Sequence, residues 1–458
     1  MKPYQNILSK QREFYNTGKT LDVKFRIAAL KKLEQALKQY EDQIVEALHA
    51  DFNKSAFETL VTELVMLRFE LRKNIKNVKS WTKPNRVLPS LLNFPSTDKI
   101  YKQPYGVCLV ISPWNYPVLL TFQPIIAAIA AGNTVILKPS ELVPHTSDCV
   151  EQILNSCFDA HYVAVIQGGV EATTDLLKLR YDKIFFTGST AVGKIVQQAA
   201  APFLTPTVLE LGGKSPCVIT ANANLKLAAK RIVFGKYVNA GQTCIAPDFL
   251  WIHQSVKAAF LKELSEAITA AYGVDIQSSP DFPRIVNAKN FERLKNYIQP
   301  AKVVFGGQSD AADRYIAPTV MDDITFDDPV MQDEIFGPIL PVMTYTDLSE
   351  IVQHNQQTEK PLAFYMFSNT AQEIEYLMEN TQFGGGSVND CLAHIINGNL
   401  PFGGVGASGM GSYHGKFGFD AFTHQKAVVK RSRFIDIPLK YAPYNNKKNL
   451  IKKILTWI

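Results

Sequence analysis

From Val23 onward, apolar residues recur at Ile27, Leu30, Leu33, Leu37, Tyr40, Ile44 and Leu48, with lysine and glutamate between them. Steps of three or four residues predict one or two amphipathic helices. The texture changes at Gly106. The runs "GVCLVIS" (106–112), "NTVILKPS" (133–140), "VAVIQGG" (163–169) and "KIFFTGS" (183–189) are short, β-prone and closed by turn formers. Stretches of helical length, 118–131 and 146–158, separate them. Such alternation predicts an α/β fold with an open, mostly parallel, Rossmann-like sheet, whose ligand loops stand at the carboxyl ends of the strands.

A second alternation runs from "SPCVIT" (215–220) through a helical 225–240 segment and "PDFLWIH" (247–253) to about residue 390. It predicts a second α/β lobe. The expected division is a cofactor-binding domain at 1–80 and 103–210 and a catalytic domain at 211–390, with bridging or oligomerisation strands at 81–102 and 415–435. The strand expectation is strongest for "QKAVVKRSRF" (425–434), which fits neither lobe's rhythm. An unpaired strand of this kind invites pairing with a second copy of the chain, as in a homodimer.

Residues 436–458 form a basic amphipathic tail. With Asn449 as N-cap, Leu450, Ile451, Ile454, Leu455 and Ile458 share one helical face, while Lys452 and Lys453 project elsewhere. So short a helix cannot cross a bilayer. It can lie in the interface with Lys447 and Lys448 near anionic headgroups, or pack on the protein's own surface.

Composition narrows the class. The chain has 458 residues, 46% hydrophobic, enough for two or three lobes, and 48 basic against 42 acidic side chains leave a mild, dispersed +6. Nucleic acid is not the default partner. The cysteines, at 108, 149, 157, 217, 244 and 391, show no CxxC pair and no zinc spacing, so no metal is expected. Their dispersion fits a reducing compartment. The N-terminal stretch has no signal-type apolar core, and no apolar run reaches membrane-spanning length, so a cytoplasmic location is expected, with peripheral membrane contact only through the tail.

Chemistry concentrates in the loops. In "NAGQTCIAPD" (239–248), Cys244 stands where Gly241 and Pro247 interrupt regular structure. A free cysteine is commonly a packing residue. A rigid turn with nearby backbone N–H groups would favour the reactive thiolate instead. Glu210 in "TVLELGGKSP" follows a strand-like run; its carboxyl reads equally as a half-buried general base and as a structural acceptor. Asn115 in "ISPWNYP" (111–117) is a turn residue or an oxyanion donor at a strand end. "FFTGSTAVGK" (185–194) is a weak relative of the dinucleotide fingerprint, although Gly188 and Ser189 open a helix after a strand, where phosphate binds well. "LKPSE" (137–141) ends a strand with a lysine and a carboxylate able to hold ribose hydroxyls.

Taken in order, "PWNYP", "KPSE", "FTGS", "LELGGKSP", "GQTC", "EIFGP" (334–338) and "LPFGGVGASGMG" (400–411) resemble the aldehyde dehydrogenase superfamily across nearly the whole chain. The likeness is to its class-3 branch of fatty- and aromatic-aldehyde enzymes, and most of all to staphylococcal carotenoid-aldehyde dehydrogenases. The resemblance implies Cys244 as nucleophile, Asn115 with the Cys244 N–H as oxyanion donors, and Glu210 as the base for water. It implies NAD, or also NADP, as cofactor. Lys138 and Glu141 would meet the adenosine ribose, Gly188 and Ser189 the pyrophosphate, and Glu334 and Phe336 the nicotinamide ribose. Gly213 would lie close to the nicotinamide, and the Gly188-to-Gly193 spacing is the family's own variant. The implied reaction converts an apolar aldehyde, long-chain, aromatic or polyene, into its acid. A CoA-acylating relative would lack Glu210, and a silent nucleotide-binding scaffold docked on membranes would show erosion at Cys244, Asn115 or Glu210; all are present.

Overall fold

The structure is a computed structural model that describes residues 4–90, 93–436, 438–444 and 447–456. The chain forms two compact units. One runs through Trp81 and from Pro104 to Thr423; the other joins Thr82–Gln103 to the segment from His424 onward.

In the first unit the N-terminal helices follow the apolar spacing. Val23–Gln39 starts where the Asp22 carboxylate accepts the Lys24 N–H at 2.9 Å, satisfying one donor that the first turn leaves orphaned. It buries Leu30, Leu33 and Leu37; Glu41–Phe52 continues with Ile44, Leu48 and Phe52. Left-handed Asn53, φ 55°, ends that second helix.

Two sheets organise the rest of the unit. In the first, the order is Gly409–Met410, Thr207–Glu210, Lys183–Thr187, Val107–Ile111, Thr134–Lys138, Val163–Val165. All neighbours are parallel except the Gly409–Met410 edge. The three strands Lys183–Thr187, Val107–Ile111 and Thr134–Lys138 are buried along their whole length, which is why they read as unbroken apolar runs rather than alternations. The chain builds outward from Val107–Ile111 on one side, then returns to build on the other. The crevice where that direction reverses lies at the carboxyl ends of Val107–Ile111 and Lys183–Thr187.

The second sheet is ordered Val303–Phe305, Thr319–Met321, Ile339–Tyr345, Phe249–His253, Pro216–Ile219, Ala363–Phe367, Gly385–Val388. It is parallel except at its Val303–Phe305 edge.

The C-terminal part differs from expectation within 415–435. Gly415–Ala421 is a helix with Gly418 and Phe419 buried, lying against Met66–Trp81 and Leu119–Ala131. "GKFGFDA" places its apolar residues at helical rather than alternating spacing, so it folds onto the core; the extended segment begins only at Thr423.

The second unit carries a three-stranded sheet ordered Asn85–Val87, Ser96–Pro104, Thr423–Arg431. Thus the 425–434 segment has a pairing partner within its own chain. Its side chains from His424 to Lys430 are nonetheless exposed on both faces. The tail helix is Lys447–Leu455, so Asn449 lies inside it rather than capping it, and Leu450, Ile451 and Leu455 are exposed. Ile458 and the side chain of Ile454 lie outside the described residues. No described helix is long and apolar enough to cross a membrane.

Candidate active site

Cys244 follows a break in regular structure. Helix Leu225–Tyr237 runs into a tight turn, Val238–Gly241, in which Asn239 and Ala240 both adopt left-handed backbone, φ 55° and 51°. Non-glycine residues in this region cost roughly 1 kcal/mol or more each and persist only where surrounding contacts fix them. Here those contacts are dense. Asn239 donates its N–H to Glu58 Oε1 (2.9 Å) and its side-chain amide to the carbonyls of Asn115 (2.8 Å) and Gln242 (3.2 Å). The Gln242 amide donates to the carbonyls of Asn239 and Arg284, both at 3.1 Å, and its Oε1 accepts the Val286 N–H at 3.0 Å. Cys244 emerges from this buried frame partly exposed, between buried Thr243 and Ile245.

The Asn115 loop is fastened to the same frame. Asn115 is buried, and its Nδ2 donates to the Gln242 carbonyl at 3.0 Å. The neighbouring Tyr116 hydroxyl pairs with Thr243 Oγ1 at 2.7 Å. Trp114 packs edge-on against Phe336, centroids 5.2 Å apart, and stacks on Phe52. Leu119 is a core residue at the start of the following helix, not a lining residue of the loop.

Glu210 ends the strand Thr207–Glu210. It is 2% exposed, and neither carboxyl oxygen has a hydrogen-bond partner among the described residues. Burial without compensating donors pushes its carboxyl well above the usual range. The Cys244 thiol is also pushed up, first by burial and then by the fields of Glu334 and Glu210. The N–H groups of Cys244 and Ile245 pull it the other way, but they do not win. Burial of the loop thus opposes the thiolate that the nearby backbone donors favour. Glu210 and Glu334 are near enough for their charges to bear on the Cys244 thiol.

Glu334 is half-buried, and its carboxyl is raised to about 8 by burial and by Asp248, despite a hydrogen bond from the Gly213 N–H. It lies so close to Gly212 that any side chain there would collide with its carboxylate. Gly213 itself has φ 141°, with Pro361 against its open face. Phe336, φ 51°, follows in the same turn.

Of the residues expected to hold a dinucleotide, Lys138, Gly188 and Ser189 stand at or just past carboxyl ends of strands in the first sheet. Lys138, 3% exposed at its strand end, pairs with Glu141, 40% exposed, at 2.5 Å. The Gly188 N–H donates to the Glu210 carbonyl at 3.0 Å. Ser189 caps helix Thr190–Ala200, accepting the Val192 N–H on its hydroxyl. Gly193 lies within that helix, where a side chain would press into Leu211. A helix N-terminus at the reversal crevice, a buried lysine at the end of another strand of the same sheet and a carboxylate at the solvent edge offer donors and an acceptor suited to a pyrophosphate and a ribose diol.

Residues 4–428 match the Aldehyde dehydrogenase family. This chain belongs to the aldehyde dehydrogenase family. The 4,4'-diaponeurosporen-aldehyde dehydrogenase of Staphylococcus aureus is 47% identical over 443 residues, 96% of each chain. Aldehyde dehydrogenase family 3 member B1 of Rattus norvegicus is 44% identical, covering 98% of this chain and 96% of that one. A solved structure titled as the substrate-bound state of Staphylococcus aureus AldH superposes with a TM-score of 0.97 at 46% identity, over 99% of this chain and 100% of that one. The chain is thus an NAD(P)-dependent aldehyde-oxidising enzyme.

Several residues that shape this aldehyde dehydrogenase site carry no local sequence signal. Asn239 and Gln242 stand inside the conspicuous "NAGQTC" stretch, yet nothing there shows that their amides tie three segments together. Glu58 sits in an ordinary helical run, 181 residues from the N–H it accepts.

Proposed function

We propose that this enzyme oxidises an apolar aldehyde to its carboxylic acid through covalent addition of the Cys244 sulfur, with NAD the preferred acceptor. The observation that carries the reading is the convergence on one partly exposed thiol of the Asn115 amide loop and the unpaired Glu210 carboxyl.

The reaction begins when Cys244, which is partly exposed, gives its proton to solvent water and its sulfur attacks the carbonyl carbon. Charge then develops on the aldehyde oxygen. One N–H of the Asn115 amide is committed to Gln242, which fixes the plane of the group and leaves the other to donate to that oxygen, together with the Cys244 N–H. Lys138, Glu141, Gly188, Ser189, Gly193, Gly213, Glu334 and Phe336 would hold the dinucleotide. When bound in its oxidised form, it supplies a cationic ring that favours the thiolate and a site that accepts hydride from the tetrahedral adduct. The resulting thioester is cleaved by water. Glu210, held without competing donors, takes the water's proton as it attacks.

The apolar character of the substrate is supported by the relative named for diaponeurosporen-aldehyde and by Trp114 and Phe336 beside the catalytic loop. The exposed strand Thr423–Arg431 supports a homodimer built on that face. The exposed apolar side of the basic helix Lys447–Leu455 suits contact with an anionic membrane surface.

Steady-state and burst kinetics on Cys244→Ala and Glu210→Gln test the chemistry. Cys244→Ala abolishes aldehyde oxidation with NAD affinity retained, and Glu210→Gln gives one burst of NADH followed by a slow steady rate. A tenth of wild-type activity in the first, or an unchanged kcat in the second, overturns the assignment.

A further inference from the structure

A buried ion pair lies directly behind the Asn115 loop, in residues the mechanism has not used. Lys54 and Glu63 are both 0% exposed, and Lys54 Nζ meets Glu63 Oε1 at 2.9 Å. The other carboxylate oxygen, Oε2, accepts the N–H groups of Val118 and Leu119 at 2.8 and 3.1 Å. These are donors at the start of helix Leu119–Ala131, immediately after the Asn115-Tyr116-Pro117 turn. Lys54 also lies over the face of the Tyr116 ring, its Nζ 4.5 Å from the centroid. From that ring the hydroxyl reaches Thr243 Oγ1, the residue before Cys244.

Charge burial on this scale is expensive, and a pair of apolar side chains of similar size would commonly serve the fold as well. What the pair does that apolar residues cannot is aim two specific objects. Glu63 fixes the first turn of a helix by two charge-assisted hydrogen bonds, and so fixes where the Asn115 amide points. Lys54 fixes the tilt of the Tyr116 ring, and so the distance between the Asn115 loop and the Cys244 loop. The two donors assigned to the developing oxyanion come one from each loop.

We propose that Lys54 and Glu63, acting through Tyr116, are positioning residues that set the spacing between the Asn115 amide and the Cys244 N–H. The proposal rests on the roles of Cys244 and Asn115 given above. Neither Lys54 nor Glu63 touches substrate. Their effect is on the rate of the step in which the oxyanion forms, not on dinucleotide binding.

The test is a set of double-mutant cycles read by single-turnover hydride transfer at saturating aldehyde and NAD, with NADH affinity and Tm measured in parallel. The variant Lys54→Met/Glu63→Gln removes both charges at once, leaving no lone buried ion, and keeps one acceptor for the Val118 and Leu119 N–H groups. Tyr116→Phe removes only the link to Thr243 and keeps the ring beneath Lys54, so it serves if the first variant does not fold. Each is combined with Asn115→Ala. Misplacement of a donor by a fraction of an ångström to an ångström slows hydride transfer by roughly 10- to 100-fold, with NADH affinity and KM little changed. Each loss vanishes in the Asn115→Ala background, because a donor that is gone cannot be mispositioned. Losses that multiply with that of Asn115→Ala, or a wild-type rate in both test variants, overturn the positioning role alone. A wild-type rate in Asn115→Ala itself overturns the oxyanion reading and the proposal with it.

Discussion

Glu58 holds the left-handed turn ahead of Cys244 by accepting the Asn239 N–H, and burial raises its carboxyl from 4.5 to about 7. Because the folded state holds the proton more tightly than the unfolded chain, the associated stability is fully present below the unfolded value. It declines as pH rises and is lost once pH passes about 7. Glutamine keeps the acceptor and cannot ionise. Glu58→Gln should therefore match wild type near pH 5 and exceed it in Tm by about 2 °C or more near pH 8.5, read by differential scanning calorimetry. Equal Tm values at the higher pH would show that the charged form is well compensated in place.

At the same scale, the proposed contact of Glu141 with the adenosine ribose makes a prediction about cofactor choice. Its carboxylate pairs with the buried Lys138; in the proposed cofactor site it would accept from a ribose 2′-hydroxyl and repel a 2′-phosphate. Removing the charge in Glu141→Gln frees the lysine for phosphate. The NAD-to-NADP ratio of kcat/KM should fall by roughly tenfold, the worth of one charge-assisted contact. An unchanged ratio would place this carboxylate away from the ribose.

At the level of elements, the strand Thr423–Arg431 leaves both faces exposed in the single chain, including Val428 and Val429. Exposed valines on an edge strand leave apolar surface and unpaired backbone groups that a second copy would cover. Light scattering should give twice the mass of one chain at micromolar concentration, and Val429→Lys should shift it toward the single-chain mass. A wild-type mass of one chain would remove the dimer.

Much of the element plan was legible because buried parallel strands and amphipathic helices write their burial into residue order. "KIFFT" is apolar throughout because both faces of that strand are covered, and Asp22 announces the helix it caps. The loops used by the proposed chemistry stood out in the sequence through Cys244, Glu210 and Asn115. What held those loops did not. Lys54, Glu58 and Glu63 look like the solvated face of a helix, and only the fold shows that this face is turned inward beneath the Asn115 loop. The upward pull on the Cys244 thiol was equally hidden, since it comes first from burial in the folded loop and then from carboxylates at residues 334 and 210.

Across the whole molecule, the frame around Cys244 joins positions 58, 115, 239, 242, 284 and 286 through hydrogen bonds, and those from 58 and 115 close loops of more than a hundred residues. Contacts so distant along the chain are slow to form, because each demands that long segments be ordered first. Helices and sheets can be in place while Asn239 and Ala240 still relax into ordinary backbone, and in that interval the thiol is mobile and open to alkylating reagents. On dilution from denaturant, far-UV ellipticity should therefore recover before dehydrogenase activity. A pulse of iodoacetamide given between the two should trap Cys244 in a chain that completes its fold yet never turns over, whereas simultaneous recovery would mean that the frame forms with the sheets. The same residues that confine the sulfur in the finished enzyme thus make it a clock for the enzyme's own assembly.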